Sequence, residues 1–239
     1  LKVLITPNIE LIETSQLYYE DASVRWVFDT NSSVVRLDTS RKPHTNSEHW
    51  ISENSDLFSF SENGDLACLE LSVPGENHLA TFRIDKTITG RIKLHKPVFN
   101  VLPTMLRLFD PLGRQLSCFM RPPTKKEALT RVNLGKDFTI LLAEDQYFGF
   151  ELFNPLDYLV GQNDAPLDPD NRAGSDEYRL FAALLDIMSD NTVEALDNDM
   201  AAVANELKTN ILPHIPSIKS ASRKNTVQSS LEDFIDYYA

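Results

Sequence analysis

The apolar positions of the chain change period partway along. Up to about residue 160 they come in short runs, several alternating with polar residues and broken by turn-forming clusters; from residue 175 they recur three and four apart. The first pattern predicts strands and the second predicts helices. The clearest hairpin is centred on Glu62-Asn63-Gly64-Asp65, where Asn-Gly supplies the positive φ angles of a tight turn. In its return strand, Leu66–Val73, the residues Ala67, Leu69, Leu71 and Val73 alternate with Cys68, Glu70 and Ser72, giving one buried face and one mixed face. Val24–Phe28 and Val34–Leu37 flank a polar cluster at 29–33 and form a second hairpin. Asp110-Pro111-Leu112-Gly113 marks a third, with proline pre-setting φ.

Leu79–Ile84, Arg91–Leu94, Val98–Leu102, Met105–Phe109, Leu116–Met120 and Arg131–Leu134 bring the total to about ten strands. Most are joined by turns too short for a crossover helix, so the expected pairing is antiparallel. Residues 8–20 fit neither period and stand as strand or short helix, and 39–56 form a long polar loop of a kind that is often functional or mobile.

Phe138–Leu159 is the densest apolar and aromatic stretch. It predicts a final hairpin, turned by Glu144-Asp145-Gln146, in which Phe148, Phe150 and Leu152 make the purer apolar face. A short helix follows, capped by Asn154 with Pro155 at its first position. The segment 161–174, rich in Gly, Pro and Asp, has the composition of an acidic linker or loop. Ser175 then starts a helix with a stripe of Tyr178, Phe181, Leu184, Leu185 and Met188. Thr192 starts another whose Val193, Leu196, Met200, Val203 and Leu207 are spaced 3, 4, 3, 4. Ser230 starts a third, and Ser217–Gln228 is a polar, mobile connection. The second stripe is too short for a coiled-coil seam and is assigned to packing within the chain. The expected fold class is α+β: a largely antiparallel β-rich domain at 1–160, the linker at 161–174, and a helical part of about three helices at 175–239 packed on the first.

An apolar content of 42% is ample for a packed core. No run approaches the roughly 18 to 20 apolar residues of a membrane span, and no leader-like segment opens the chain, so a cytoplasmic location without membrane contact is expected. Cys68 and Cys118 lie in apolar strand-like runs, which suits free thiols in a reducing compartment.

The net charge of −12 argues against direct nucleic-acid binding. Its distribution is blocked. Residues 1–85 hold 14 acidic and 6 basic side chains, 86–140 hold 3 and 11, 141–207 hold 15 and 2, and 208–239 hold 3 and 4. Either the basic middle lies against its acidic neighbours in the fold, or the blocks form partner surfaces. An acidic face speeds encounter with a basic protein, and a basic face can hold an anionic ligand.

The phosphate-loop, dinucleotide, zinc-protease, dithiol and serine-elbow motifs are all missing from the sequence. His44, Glu48 and His49 bring two imidazoles and a carboxylate together, but no further ligand lies close, and a solvated loop accounts for them. Asp164, Asp168, Asp170 and Asp176 suggest calcium, except that Arg172 and Ala173 stand where such a loop wants a ligand and its glycine. Glu144, Asp145 and Glu151 could pose as general acid and base, with nothing to single them out. Ser117 should point away from Cys118 and has no histidine nearby. Trp26 is expected in the core and Trp50 exposed in its polar loop.

No metal or cofactor is therefore assigned, and the expected function is non-enzymatic binding of another, basic protein. Its most concrete form is a bacterial immunity or antitoxin-type inhibitor of a basic toxin, contacted through Trp50, Glu144, Asp145, Asp164, Asp168 and Asp170. The alternative is an adaptor or assembly subunit docking through 175–239; a hydrolase with an unrecognised site ranks third.

Overall fold

The computed structural model describes residues 2–6, 8–29, 33–43, 56–79, 81–95, 101–161, 167 and 172–238. These residues form an α+β fold in which two strand-rich layers precede the helices. The strands are β1 (Lys2–Thr6), β2 (Ile9–Thr14), β3 (Ser23–Phe28), β4 (Ser33–Asp38), β5 (Leu57–Phe60), β6 (Leu66–Ser72) and β7 (Arg83–Leu94). They continue as β8 (Leu106–Asp110), β9 (Gln115–Phe119), β10 (Ala128–Gly135), β11 (Phe138–Ala143), β12 (Gln146–Phe153) and β13 (Leu159–Val160). One sheet has the order β1-β2-β7-β10-β11-β12-β9-β8 and the other β13-β3-β4-β6-β5.

Hairpins predicted from local turn chemistry are antiparallel, as at β3-β4, β5-β6, β8-β9 and β11-β12. Two pairs depart from that expectation: β7 with β10, and β13 with β3, are parallel. A parallel pair needs a crossover to bring the chain back to the same end. Between β7 and β10 the β8-β9 hairpin supplies it, by travelling to the far edge of the sheet. β7 itself is one continuous strand where the sequence suggests two, because Thr87, Ile88 and Thr89 are β-branched and suit extended backbone.

The sheets pack face to face. Leu11, Ile92, Val132, Ile140 and Phe150 of the larger share one core with Val24, Val35, Leu37, Leu69 and Leu71 of the smaller. In β12 the expected apolar face is broken by a bulge that leaves Phe148 out of register with β11. Phe150 and Leu152 therefore join Tyr147 in the main core, while Phe148 turns to the outer face beside Phe119, Leu129 and Leu141. Gly149 permits this, because a Cβ there would collide with the Cys118 carbonyl. Both cysteines are free thiols.

Helix α1 (Ser175–Ile187) closes one side of the sandwich. The Phe181 ring lies 5.3 Å from Trp26 and 5.2 Å from Phe28 in β3, and 6.1 Å from Phe109 in β8. Trp26 is fully buried there, as expected. The helix predicted from Asn154-Pro155 is a single 3-10 turn, Pro155–Tyr158, since Leu159 and Val160 return at once to extended backbone beside β3.

The helix predicted from Thr192 is two: α2 (Asp190–Ala195), capped by Ser189, and α3 (Met200–Asn210), capped by Asp199. Asp197 and Asn198, at φ 56° and 59°, break the run, and these residue types enter left-handed backbone readily. The last helix, α4, spans Ala221–Tyr238, so much of the stretch predicted to be mobile is helical and turns Arg223 and Val227 inward. Among the described residues no helix is long and apolar enough to cross a membrane.

Candidate functional site

The β11-β12 turn places Glu144 and Asp145 at an exposed tip, both with positive φ. Beside the tip, the Gln146 side chain donates to the Leu4 carbonyl of β1 at 3.1 Å. Glu151 lies farther along β12, wholly buried on the outer face of the large sheet. Arg131 donates to its carboxylate through Nε at 2.6 Å and Nη2 at 3.0 Å, and Gln115 and Thr139 donate as well. Four donors from β9, β10 and β11 thus surround one carboxylate. Glu151 cannot act with Glu144 and Asp145 as an acid-base pair: it is ion-paired inside the sheet, and they are solvated at the tip. Ser117 belongs to the same outer network through Gln115, while Cys118 faces the core, as strand alternation requires.

A second buried carboxylate was not singled out by the sequence. Asp56 lies between the sheets and accepts from the Ser72 backbone N–H and from Tyr147 Oη, each at 2.9 Å. These bonds favour the charged form, but burial outweighs them and pushes the carboxyl up to about 6. The folded state therefore binds the proton more tightly than the unfolded chain. The stability from this proton is fully present below about pH 4 and is lost as pH rises through about 6, a change of roughly 3 kcal/mol. Asp56→Asn should flatten that part of the curve, which urea denaturation of both proteins between pH 4 and 7.5 would measure; an unchanged profile would exclude Asp56 as its source.

Beside α1 a groove of about 440 Å³ is bounded by β8 and the segment at Asn77–Leu79. Arg107 lies at its base, only 5% exposed, donating to Asn77 Oδ1 at 2.7 Å and to the Leu185 carbonyl at 2.5 Å. Burial lowers this guanidinium to about 10, which leaves it charged at neutral pH. Leu185 is in the last turn of α1, where unpaired carbonyls carry negative partial charge, so Arg107 serves as a buried cap tying the helix to β8.

The helices held in this way present an acidic surface. Asp186, Asp190, Glu194, Asp197, Asp199 and Glu206 are all exposed, and no lysine or arginine interrupts the sequence between Arg179 and Lys208. Among the described residues none of the six enters a salt bridge, whereas Asp176, farther back on α1, pairs with Arg179. The basic block 86–140 meets the acidic block 141–207 in one salt bridge among the described residues, Arg131 with Glu151. Lys86, Lys125, Lys126 and Lys136 stay exposed. Internal cancellation thus accounts for little of the blocked charge.

Of the residues proposed from sequence for partner contact, Glu144 and Asp145 are exposed as expected, but they border β1, whereas the helical acids adjoin β8 through Asn77, whose amide reaches Asp186. Trp50, Asp164, Asp168 and Asp170 lie outside the described residues, as do His44, Glu48 and His49. The described residues contain no cluster of three or more His, Cys, Asp or Glu side chains able to hold a metal ion. The acidic run was visible as a charge block on predicted helices; that it would be exposed and unpaired was not. Compared with family models, with curated proteins and with solved structures, the chain finds no match.

Proposed function

We propose that the chain is a protein-binding protein whose acidic helical face, from the C-terminal end of α1 through α3, meets a basic partner. The observation that carries this reading is the run of six exposed carboxylates, Asp186 to Glu206, with no lysine or arginine within the run and no salt bridge to any of the six among the described residues. Such a surface attracts a positively charged protein over a Debye length and penalises acidic competitors. Two buried polar anchors, Arg107 on the Leu185 carbonyl of α1 and Arg223 on the Leu156 carbonyl after β12, hold the helices to the sandwich, so the face is presented with little ordering left to occur on binding. Its most concrete form is an immunity or antitoxin-type inhibitor that covers the basic working surface of a toxic protein.

The combined variant Glu194→Gln, Asp197→Asn and Glu206→Gln tests this, since these exposed residues contribute little to the core. A partner captured from the source cells should be basic, and its association with the wild-type chain should slow by about tenfold or more between 50 and 300 mM salt. The variant should associate about tenfold more slowly at low salt with an unchanged thermal midpoint. Equal association rates for variant and wild type would remove the helical face from the interaction.

A further inference from the structure

Away from the acidic helices, two arginines converge on one tyrosine. Arg41 follows β4 and Arg91 lies within β7, yet both donate to Tyr18 Oη, Arg41 Nη2 at 3.0 Å and Arg91 Nη1 at 3.2 Å. Each guanidinium also stands against the same ring, 5.1 and 5.0 Å from its centroid. Two donors within reach of one oxygen place the two cations side by side, and among the described residues neither has a salt-bridge partner. Asp65 acts on Arg91 only at longer range, and its buried Oδ1 has no hydrogen-bond partner among the described residues. One carboxylate beyond ion-pair distance does not neutralise two guanidinium groups.

The cluster is held by the core. Tyr19 is 3% exposed; its Oη accepts from the Ile92 N–H and donates to the Ile92 carbonyl, both at 3.1 Å, which fixes the backbone next to Arg91. The Tyr18 ring packs edge-on against Tyr19 at 5.0 Å, so the same clamp sets the position of the phenol. A guanidinium has five N–H donors, and here each spends one on Tyr18. Tyr18 Oη, accepting twice, keeps its own proton to donate.

We propose that Tyr18, Arg41 and Arg91 form a binding site for a tetrahedral oxyanion, a phosphate or phosphomonoester group. Donors arrive from two separate forks and a phenol, and the several outward oxygens of a phosphate accept from all three, whereas a carboxylate presents two oxygens in one plane. The anion would also relieve the repulsion between the two cations.

Calorimetry and thermal unfolding of the full chain with inorganic phosphate, acetate or chloride at matched ionic strength test the site. Phosphate should bind and raise the melting temperature above the chloride control, and acetate should not. Arg41→Gln and Arg91→Gln should each weaken phosphate binding by about tenfold or more, in line with the loss of a charge-assisted fork. Lys125→Gln, on an exposed loop, should leave it unchanged. Tyr18→Phe, which keeps the ring and removes the hydroxyl, should weaken binding by a smaller factor and serves if an arginine variant fails to fold. A phosphate effect equal to that of chloride, or one that persists in the arginine variants, overturns the site; acetate binding as tightly as phosphate overturns the choice of ligand.

Discussion

Replacing Arg223 with methionine should destabilise the protein by about 3 to 5 kcal/mol, seen as a lower urea midpoint at an unchanged slope. Arg223 and Glu177 join α4 to α1 with side chains only 4% and 5% exposed, and Nε lies 2.8 Å from Oε2. Arg223 Nη1 also reaches the Leu156 carbonyl at 3.1 Å, so one guanidinium links both helices to the 3-10 turn that follows β12. Methionine would leave the Glu177 carboxylate buried without its countercharge. The backbone N–H groups near Glu177 Oε1, those of Gly174 and Lys219, stand at 3.4 and 3.5 Å and are too long to compensate. The double variant Glu177→Met with Arg223→Met should recover most of the loss, because it removes the orphaned charge along with its partner. If the double variant is as unstable as the single one, the cost lies in packing and the ion-pair account is wrong.

Ending the chain at Gly174 should abolish cooperative folding altogether and give aggregated material. The truncation strips Tyr178 and Phe181 from the sandwich and opens Trp26, Phe28 and Phe109 to water. Burying a large aromatic side chain contributes about 1.5 to 3 kcal/mol, and losing several of them together exceeds what a domain of this size holds in reserve. The exposed aromatic patch would itself drive association. A soluble fragment of residues 1–174 with a single sharp melting transition would instead show that the helices are an appended docking element, as an adaptor would have.

The hairpins were readable because their determinants are local: Asn63-Gly64 and Asp110–Gly113 each set a turn within four residues. The parallel β7-β10 pair was not, since its partners are brought together by where the intervening hairpin settles. The break between α2 and α3 had a visible signal in Asp197-Asn198, but the 3, 4, 3, 4 spacing across it suggested continuity. The N-terminal half of α4 looked like a polar linker because the charge it buries at Arg223 is met by Glu177, 46 residues away. For the same reason Tyr18, Arg41 and Arg91 show no motif: three separate segments contribute one side chain each. The acidic face was legible as composition, and its exposure needed coordinates.

The parallel seam between β7 and β10 also bears on how the chain reaches this structure. On one side of it β1, β2 and β7 pair antiparallel; on the other side so do β10, β11, β12, β9 and β8. The half from β10 to β8 can assemble from segments near in sequence, whereas β2 reaches β7 only across the intervening β3–β6, Ile9 lying opposite Leu94. The seam must wait until residues 101–127 have been synthesised and folded back, and β13 must then return to β3 across more than a hundred residues. Closing such loops is what slows the folding of sheet proteins. The rate-limiting event is therefore expected to be the closing of these long-range pairings, β2 on β7, β7 on β10 and β13 on β3, rather than the formation of any hairpin, and until they close, the unpaired edges of β7 and β10 are the part of the molecule most open to wrong partners.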